Sequence, residues 1–180
     1  MIYAIALSFI CICFTQGYNM QLISHLPYEQ EASDITGFAQ DGREFAVMGL
    51  QNAATFIDVT DPYNPFEIDR IEGDNSIWRD IKYWDRHVYI GTEANDGIKI
   101  VSVDNPDEPE LVNTITDVDN SHNVYIDSDG YLYIVGADVH DVWIYDLAYP
   151  AQPNLVGTWD LQGGESSQEG YCHDIEVFNN

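Results

Sequence analysis

The chain has 180 residues, 45% of them hydrophobic and 13% aromatic, enough for one packed domain and too apolar for a disordered segment. Six basic residues stand against 31 acidic ones, a formal net charge of -25. That balance excludes nucleic acid and an anionic membrane surface as partners, because phosphate binding needs clustered Lys and Arg. The field of such a chain attracts cations, and it also serves simple solubility in a salty medium.

The chain opens with "MIYAIALSFICICFTQGYN". Residues 1–17 carry no charged side chain, and residues 2–14 form an apolar run about as long as a signal-peptide core. Thr15-Gln16-Gly17 adds the small residues of a cleavage site, although no basic residue precedes the run. Residues 1–17 are therefore predicted to be a signal peptide, with a buried first strand as the alternative. The run is short for a membrane span, so none is expected in the mature chain. Cys11 and Cys13 lie inside this segment, which leaves Cys172 as a small buried hydrophobe or as half of an external pair.

Beyond it a pattern repeats. Pro62, Pro106 and Pro150 are 44 residues apart, and Pro65, Pro109 and Pro153 keep the same interval. A β-rich stretch precedes each pair: "ATFIDVTDP", "IKIVSVDNP" and "VWIYDLAYP". A short one follows each: "FEIDRI", "ELVNTI" and "NLVGTW". Upstream lie "EFAVMGL", "HVYIGTE" and "YLYIVGA", and before them "DITGF", "DIKYW" and "NVYID". Asp41-Gly42 and Asp129-Gly130 separate the first two sets and predict tight hairpins with positive φ at both central residues, a role Asp85-Arg86 fills less well.

Each unit is thus four short strands in a meander. An antiparallel unit with a period in the 40s predicts an all-β chain of β-propeller blades. The blades cover about 33–72, 79–116 and 122–160, with 173–180 opening a fourth. Proline cannot donate to a ladder, so the Pro-x-x-Pro belongs in the loop before the outermost strand, where its fixed φ lowers the cost of ordering a turn. Three blades and one strand fall short of a closed ring, so the chain is expected to be an N-terminal fragment of a longer protein.

The units resemble the LVIVD repeat, whose motif ends in Asp-Val-x-Asp-Pro-x-x-Pro and is best matched by "FIDVTDPYNP". The wider order of "SDITGF", "DGREFAVMGL", "WRDIK", "TEA", "SHNVYID" and "HDIEV" resembles the secreted propellers of the choice-of-anchor B family, from about residue 24 onward. The second unit departs at Ser102, where the motif has Asp, and the third has Tyr149 before its proline. The resemblance implies export, a β-propeller and a carboxy-terminal surface anchor, and it implies no activity.

If the blades repeat faithfully, the residues that lead each innermost strand gather at one mouth of the central channel. They are Asp34, Arg79-Asp80, His122-Asn123 and His173-Asp174, with Glu93 after the second strand of blade two at the same mouth. In one reading the Asp and Asn side chains accept backbone hydrogen bonds between blades, while Arg and His pair with carboxylates. In the other they bind a polar ligand or a divalent metal, with Asp80, His122, His173 and Asp174 as ligands. Oxygen donors suit Ca²⁺ or Mg²⁺, and imidazoles shift the choice towards a transition metal. Trp78, Trp84, Trp143 and Trp159 are expected to wedge between blades, with Trp78 also placed to stack on a sugar. No nucleophile elbow, phosphate loop or CxxC pair stands in the sequence. It therefore points to a secreted or surface-anchored binding or scaffold module for an extracellular ligand or surface protein. A metal-dependent hydrolase or lyase at the channel mouth is the rival.

Overall fold

The computed structural model of the chain describes residues 20–160 and 172–178. The predicted signal peptide and the connection "LQGGESSQEGY" lie outside the described residues. Every regular element described is a strand, and the strands form three four-stranded antiparallel sheets, each a meander in chain order. Sheet A holds β1 (Ala32–Gln40), β2 (Arg43–Leu50), β3 (Ala53–Asp58) and β4 (Phe66–Glu72). Sheet B holds β5 (Arg79–Trp84), β6 (His87–Thr92), β7 (Ile98–Ser102) and β8 (Glu110–Ile115). Sheet C holds β9 (Asn123–Ile126), β10 (Tyr131–Val135), β11 (Val142–Asp146) and β12 (Asn154–Trp159).

The sheets stack face to face, with β1 against β5 and β5 against β9. The core therefore divides into two layers, one per junction. Phe38, Phe45, Val47 and Phe56 of sheet A meet Ile81, Val88, Ile90 and Val101 of sheet B. On the other side of sheet B, Tyr89, Ile98 and Ile100 meet Val124, Leu132, Ile134, Trp143 and Tyr145 of sheet C. Sheet B is covered on both faces, and β6 and β7 are almost wholly buried, Lys99 and Thr92 included. The fourth strand of each sheet is its edge and is more exposed.

The 44-residue interval has three physical counterparts. Each Pro-x-x-Pro begins with a turn between the third and fourth strands, closed by Asn64 N–H to Asp61 O, Glu108 N–H to Asn105 O, and Gln152 N–H to Tyr149 O at 2.8–3.0 Å. The first proline of each pair sits at the second turn position, where φ near -65° is already required. Each third-to-fourth pairing also shifts register once, after Phe56, Ile100 and Ile144. Finally, Asp58 and Asp146 accept the N–H two residues on at 2.8 Å, and Ser102 does the same for Asp104 at 3.3 Å. Serine thus keeps the geometry of the motif aspartate with a longer bond.

Two hairpins follow the expectation and one does not. Asp41 and Gly42 (φ 53° and 79°) and Asp85 and Arg86 (φ 41° and 61°) form two-residue loops. In sheet C the loop has four residues, and only Gly130 has a positive φ. There the Asp127 carboxylate accepts the N–H groups of Asp129 and Tyr131 at 2.9 and 3.0 Å, so the side chain closes the turn that a second left-handed residue would have closed. Residues 172–178, the expected opening of a fourth blade, form no strand, since none of the described strands pairs with them. The tryptophans also divide. Trp143 is buried between sheets B and C and Trp84 packs beside it, whereas Trp159 is 51% and Trp78 39% exposed.

Candidate functional site

A cleft of about 390 Å³ opens at the leading ends of the first strands. Ala32, Ser33 and Asp34 of β1 form one wall, residues 77–80 leading into β5 form another, and Asn123 at the start of β9 closes it. The side-by-side packing of β1, β5 and β9 thus brings Asp34, Arg79, Asp80 and Asn123 to one place, 89 residues apart at the extremes (123 - 34).

The carboxylates here link successive sheets. Asp34 Oδ2 accepts the Ile81 N–H of sheet B at 3.0 Å, and Asp80 Oδ2 accepts the Val124 N–H of sheet C at 2.6 Å. The step is the same each time: the residue after the next sheet's equivalent position is the donor. Asp80 Oδ1 also accepts its own neighbour's N–H, that of Ile81. Lys82 Nζ donates to Asp80 Oδ1 and lies 3.4 Å from Asp34 Oδ2.

The two carboxyls are consequently shifted in opposite directions. Burial, aided by Asp34 alongside, pushes Asp80 up to about 6 against the pull of Lys82 and the Val124 N–H. Burial acts on Asp34 in the same direction, but hydrogen bonds from Asp80 and the Ile81 N–H, together with the Lys82 charge, outweigh it and hold Asp34 below the usual carboxylate range. Chemically the pair is a structural link in a cleft wall, with its oxygens already engaged by backbone and Lys82.

Arg79 is sealed rather than offered to solvent, at 2% exposure. Its Nε donates to the Leu50 carbonyl at 2.8 Å, and its Nη2 to the carbonyls of Gln51 and Asp74. It was expected to pair with carboxylates. Instead it satisfies carbonyls at the end of β2 and after β4, where strands stop and leave acceptors without ladder partners. Burial lowers the Arg79 pKa, opposed by the more distant charges of Asp96, Asp74 and Glu72.

His122 occupies the place in sheet C that Arg79 has in sheet B, and it behaves differently. Its Nδ1 lies 2.7 Å from Glu93 Oε1, and its Nε2 lies 2.9 Å from His173 Nε2. The ring of Trp78 stacks on the His122 imidazole at 4.5 Å and 8°, while the Trp78 indole N–H donates to the His122 carbonyl at 2.6 Å. His122 is 7% exposed, whereas Glu93 and His173 are exposed. A carboxylate, a buried imidazole and an exposed imidazole therefore stand in line, with one ring clamped from its face.

The expected site residues thus fall into two groups joined by Trp78. Asp34, Arg79, Asp80 and Asn123 line the cleft, and Glu93, His122 and His173 form the line beside it. Asp174 joins neither and caps its own neighbour, Ile175 N–H, at 2.8 Å. Among the described residues no group of three or more His, Cys, Asp or Glu side chains is arranged to hold a metal ion. Lys82 was not anticipated. Its signal was two residues from Asp80 on a strand, which puts both side chains on one face.

No family model matches the chain, and none of the curated proteins is similar to it.

Proposed function

We propose that this chain is part of a secreted β-propeller of the LVIVD-repeat type, acting at the cell surface as a binding or scaffold module. The observation that carries this reading is the shared placement of the first strands, whose leading ends leave a cleft walled by polar groups and by Trp78. The repeated turn, bulge and cap at 44-residue intervals support identical blades arranged about one axis. Most polar groups in the walls already have partners, so the cleft suits a ligand held by shape, stacking and a few hydrogen bonds. The ligand is a small extracellular molecule or an exposed segment of a surface protein. With 31 acidic residues in the chain, cationic or neutral polar ligands are favoured over anions.

The test is a thermal-shift panel of sugars, amines and basic peptides against the purified chain, repeated with Trp78→Ala and Asp34→Ala. At least one compound should raise the midpoint, and both substitutions should remove the effect. A panel without any response, or a response that survives both changes, rejects the cleft as a binding site. Amino-terminal sequencing of the exported protein should begin at about residue 18. A hydrolase or lyase working through a metal ion is the second reading, favoured by the His122–His173 pair and weakened by the other engagements of Asp80 and Asp174.

A further inference from the structure

We propose that His122 and His173 together bind a divalent transition-metal ion of the zinc class, with Glu93 holding the His122 ring in the binding tautomer. The inference stands apart from the propeller and the cleft, because it uses only side chains that already meet. Two imidazole nitrogens 2.9 Å apart need a hydrogen between them. Glu93 Oε1 at 2.7 Å from Nδ1 fixes a hydrogen on that nitrogen, which leaves the Nε2 of a neutral His122 as a lone pair aimed at His173. A metal ion takes the place of that hydrogen when both Nε2 atoms present their lone pairs to it.

The distances suit that exchange. Zinc–imidazole bonds of about 2.0–2.1 Å at a tetrahedral angle put the two nitrogens about 3.3 Å apart. The pair has to open by only a few tenths of an ångström from 2.9 Å. His122 is held in place, since Trp78 covers its face and it is 7% exposed. His173 approaches it from residues 172–178, which pair with none of the described strands. A carboxylate behind a ligating imidazole raises its basicity and sets its orientation, and Glu93 is placed for that.

Two imidazoles select zinc, nickel or copper over calcium or magnesium, which prefer oxygen. Among the described residues no third such side chain completes the set. The expected affinity is that of a two-histidine site, roughly micromolar by comparison with full four-ligand sites.

Equilibrium dialysis of the full chain against ZnCl₂, with CaCl₂ as control, tests the proposal. One zinc ion per chain should bind, and calcium should not compete at a hundredfold excess. His173→Gln should weaken zinc at least 100-fold, and Glu93→Gln about 10–100-fold. His25→Gln and His87→Gln should leave it unchanged. Copper loaded in place of zinc should show two coordinated imidazole nitrogens in its electron paramagnetic resonance spectrum. Zinc binding that is indifferent to His173→Gln, or no binding at 100-fold the expected constant, overturns the proposal. His173 is exposed and outside the core, so that variant remains informative if His122→Gln fails to fold. Loss of zinc binding in His173→Gln leaves the thermal-shift result at the cleft untouched, and Asp34→Ala tests the cleft without removing a contact of His122.

Discussion

Arg79 and His122 lead equivalent strands at successive junctions, yet one closes the structure and the other, itself buried, reaches an exposed carboxylate and an exposed imidazole. The guanidinium at the junction of sheets A and B spends its donors on three backbone carbonyls. The imidazole at the junction of sheets B and C meets a carboxylate and a second imidazole. A repeat fixes where a side chain stands, and its chemistry then decides whether the place becomes a lock or a site. Arginine has only donors to offer, whereas histidine presents either a donor or a lone pair.

The sharpest way to break this comparison is to remove both residues in the same manner. Arg79→Met should cost about 3–5 kcal/mol, because three carbonyls lose their donor inside a packed junction. His122→Met should cost only about 1 kcal/mol. Urea unfolding checks the pair, and equal losses would show that His122 is as structural as Arg79.

Asp80 carries the next largest effect. Asp80→Leu should cost about 2–3 kcal/mol by leaving the Val124 N–H unpaired, whereas Asp80→Asn keeps an acceptor there. The same variant exposes a pH dependence. A folded-state value of about 6 against 3.8 for a free aspartate means that Asp80 favours the folded chain below about pH 4. That contribution is lost as pH rises through 6. Asp34, whose pKa is depressed, acts in the opposite sense: its contribution is present above the free aspartate value and lost as pH falls. Relative to the parent, Asp80→Asn should therefore gain on the order of 1–2 kcal/mol between pH 4 and pH 7. A flat difference across that range would show that burial does not raise Asp80.

Smaller effects sharpen the comparison of hairpins. Gly130→Ala should cost about 1–2 kcal/mol, since φ is 82° and the new Cβ would lie 2.9 Å from Trp84. Gly42→Ala has nothing within 4 Å and should lose less, by the amount that belongs to the tryptophan. The smallest change is Ser102→Asp, which restores the motif cap and should gain about half a kcal/mol in thermal denaturation. A loss there would mean that repulsion from Asp104, whose carboxylate is 3.4 Å from the Ser102 hydroxyl, outweighs the stronger cap.

Much of the fold was legible because proline and glycine act locally. The Pro62, Pro106 and Pro150 turns lie where a residue without an N–H has to lie, and the strands beside them follow from alternation and β-branched content. The gathering of Asp34, Asp80 and Asn123 was legible for a related reason: equal positions in equal units share one end of a stack. Partner identity was less so. That Arg79 would meet carbonyls rather than carboxylates depends on where β2 and β4 stop, and no residue type announces that. The longer loop at residues 127–130 was hidden too, because Asp129-Gly130 has the same two letters as Asp41-Gly42, and only Asp127 distinguishes them. Trp78 was legible as an aromatic near the mouth but not as the clamp on His122, since stacking depends on a rotamer.

The carboxylate links run one way. Asp34 serves Ile81 and Asp80 serves Val124, so the acceptor always belongs to the earlier stretch of polypeptide and the donor to the later one. A chain emerging from its amino end thus has each of these two carboxylates waiting before the amide that needs it appears. Shortening the two ends is correspondingly unequal. Trimming from the front takes from the Ile81 N–H one of its two carboxylate acceptors, whereas trimming from the back merely returns a carboxylate to water.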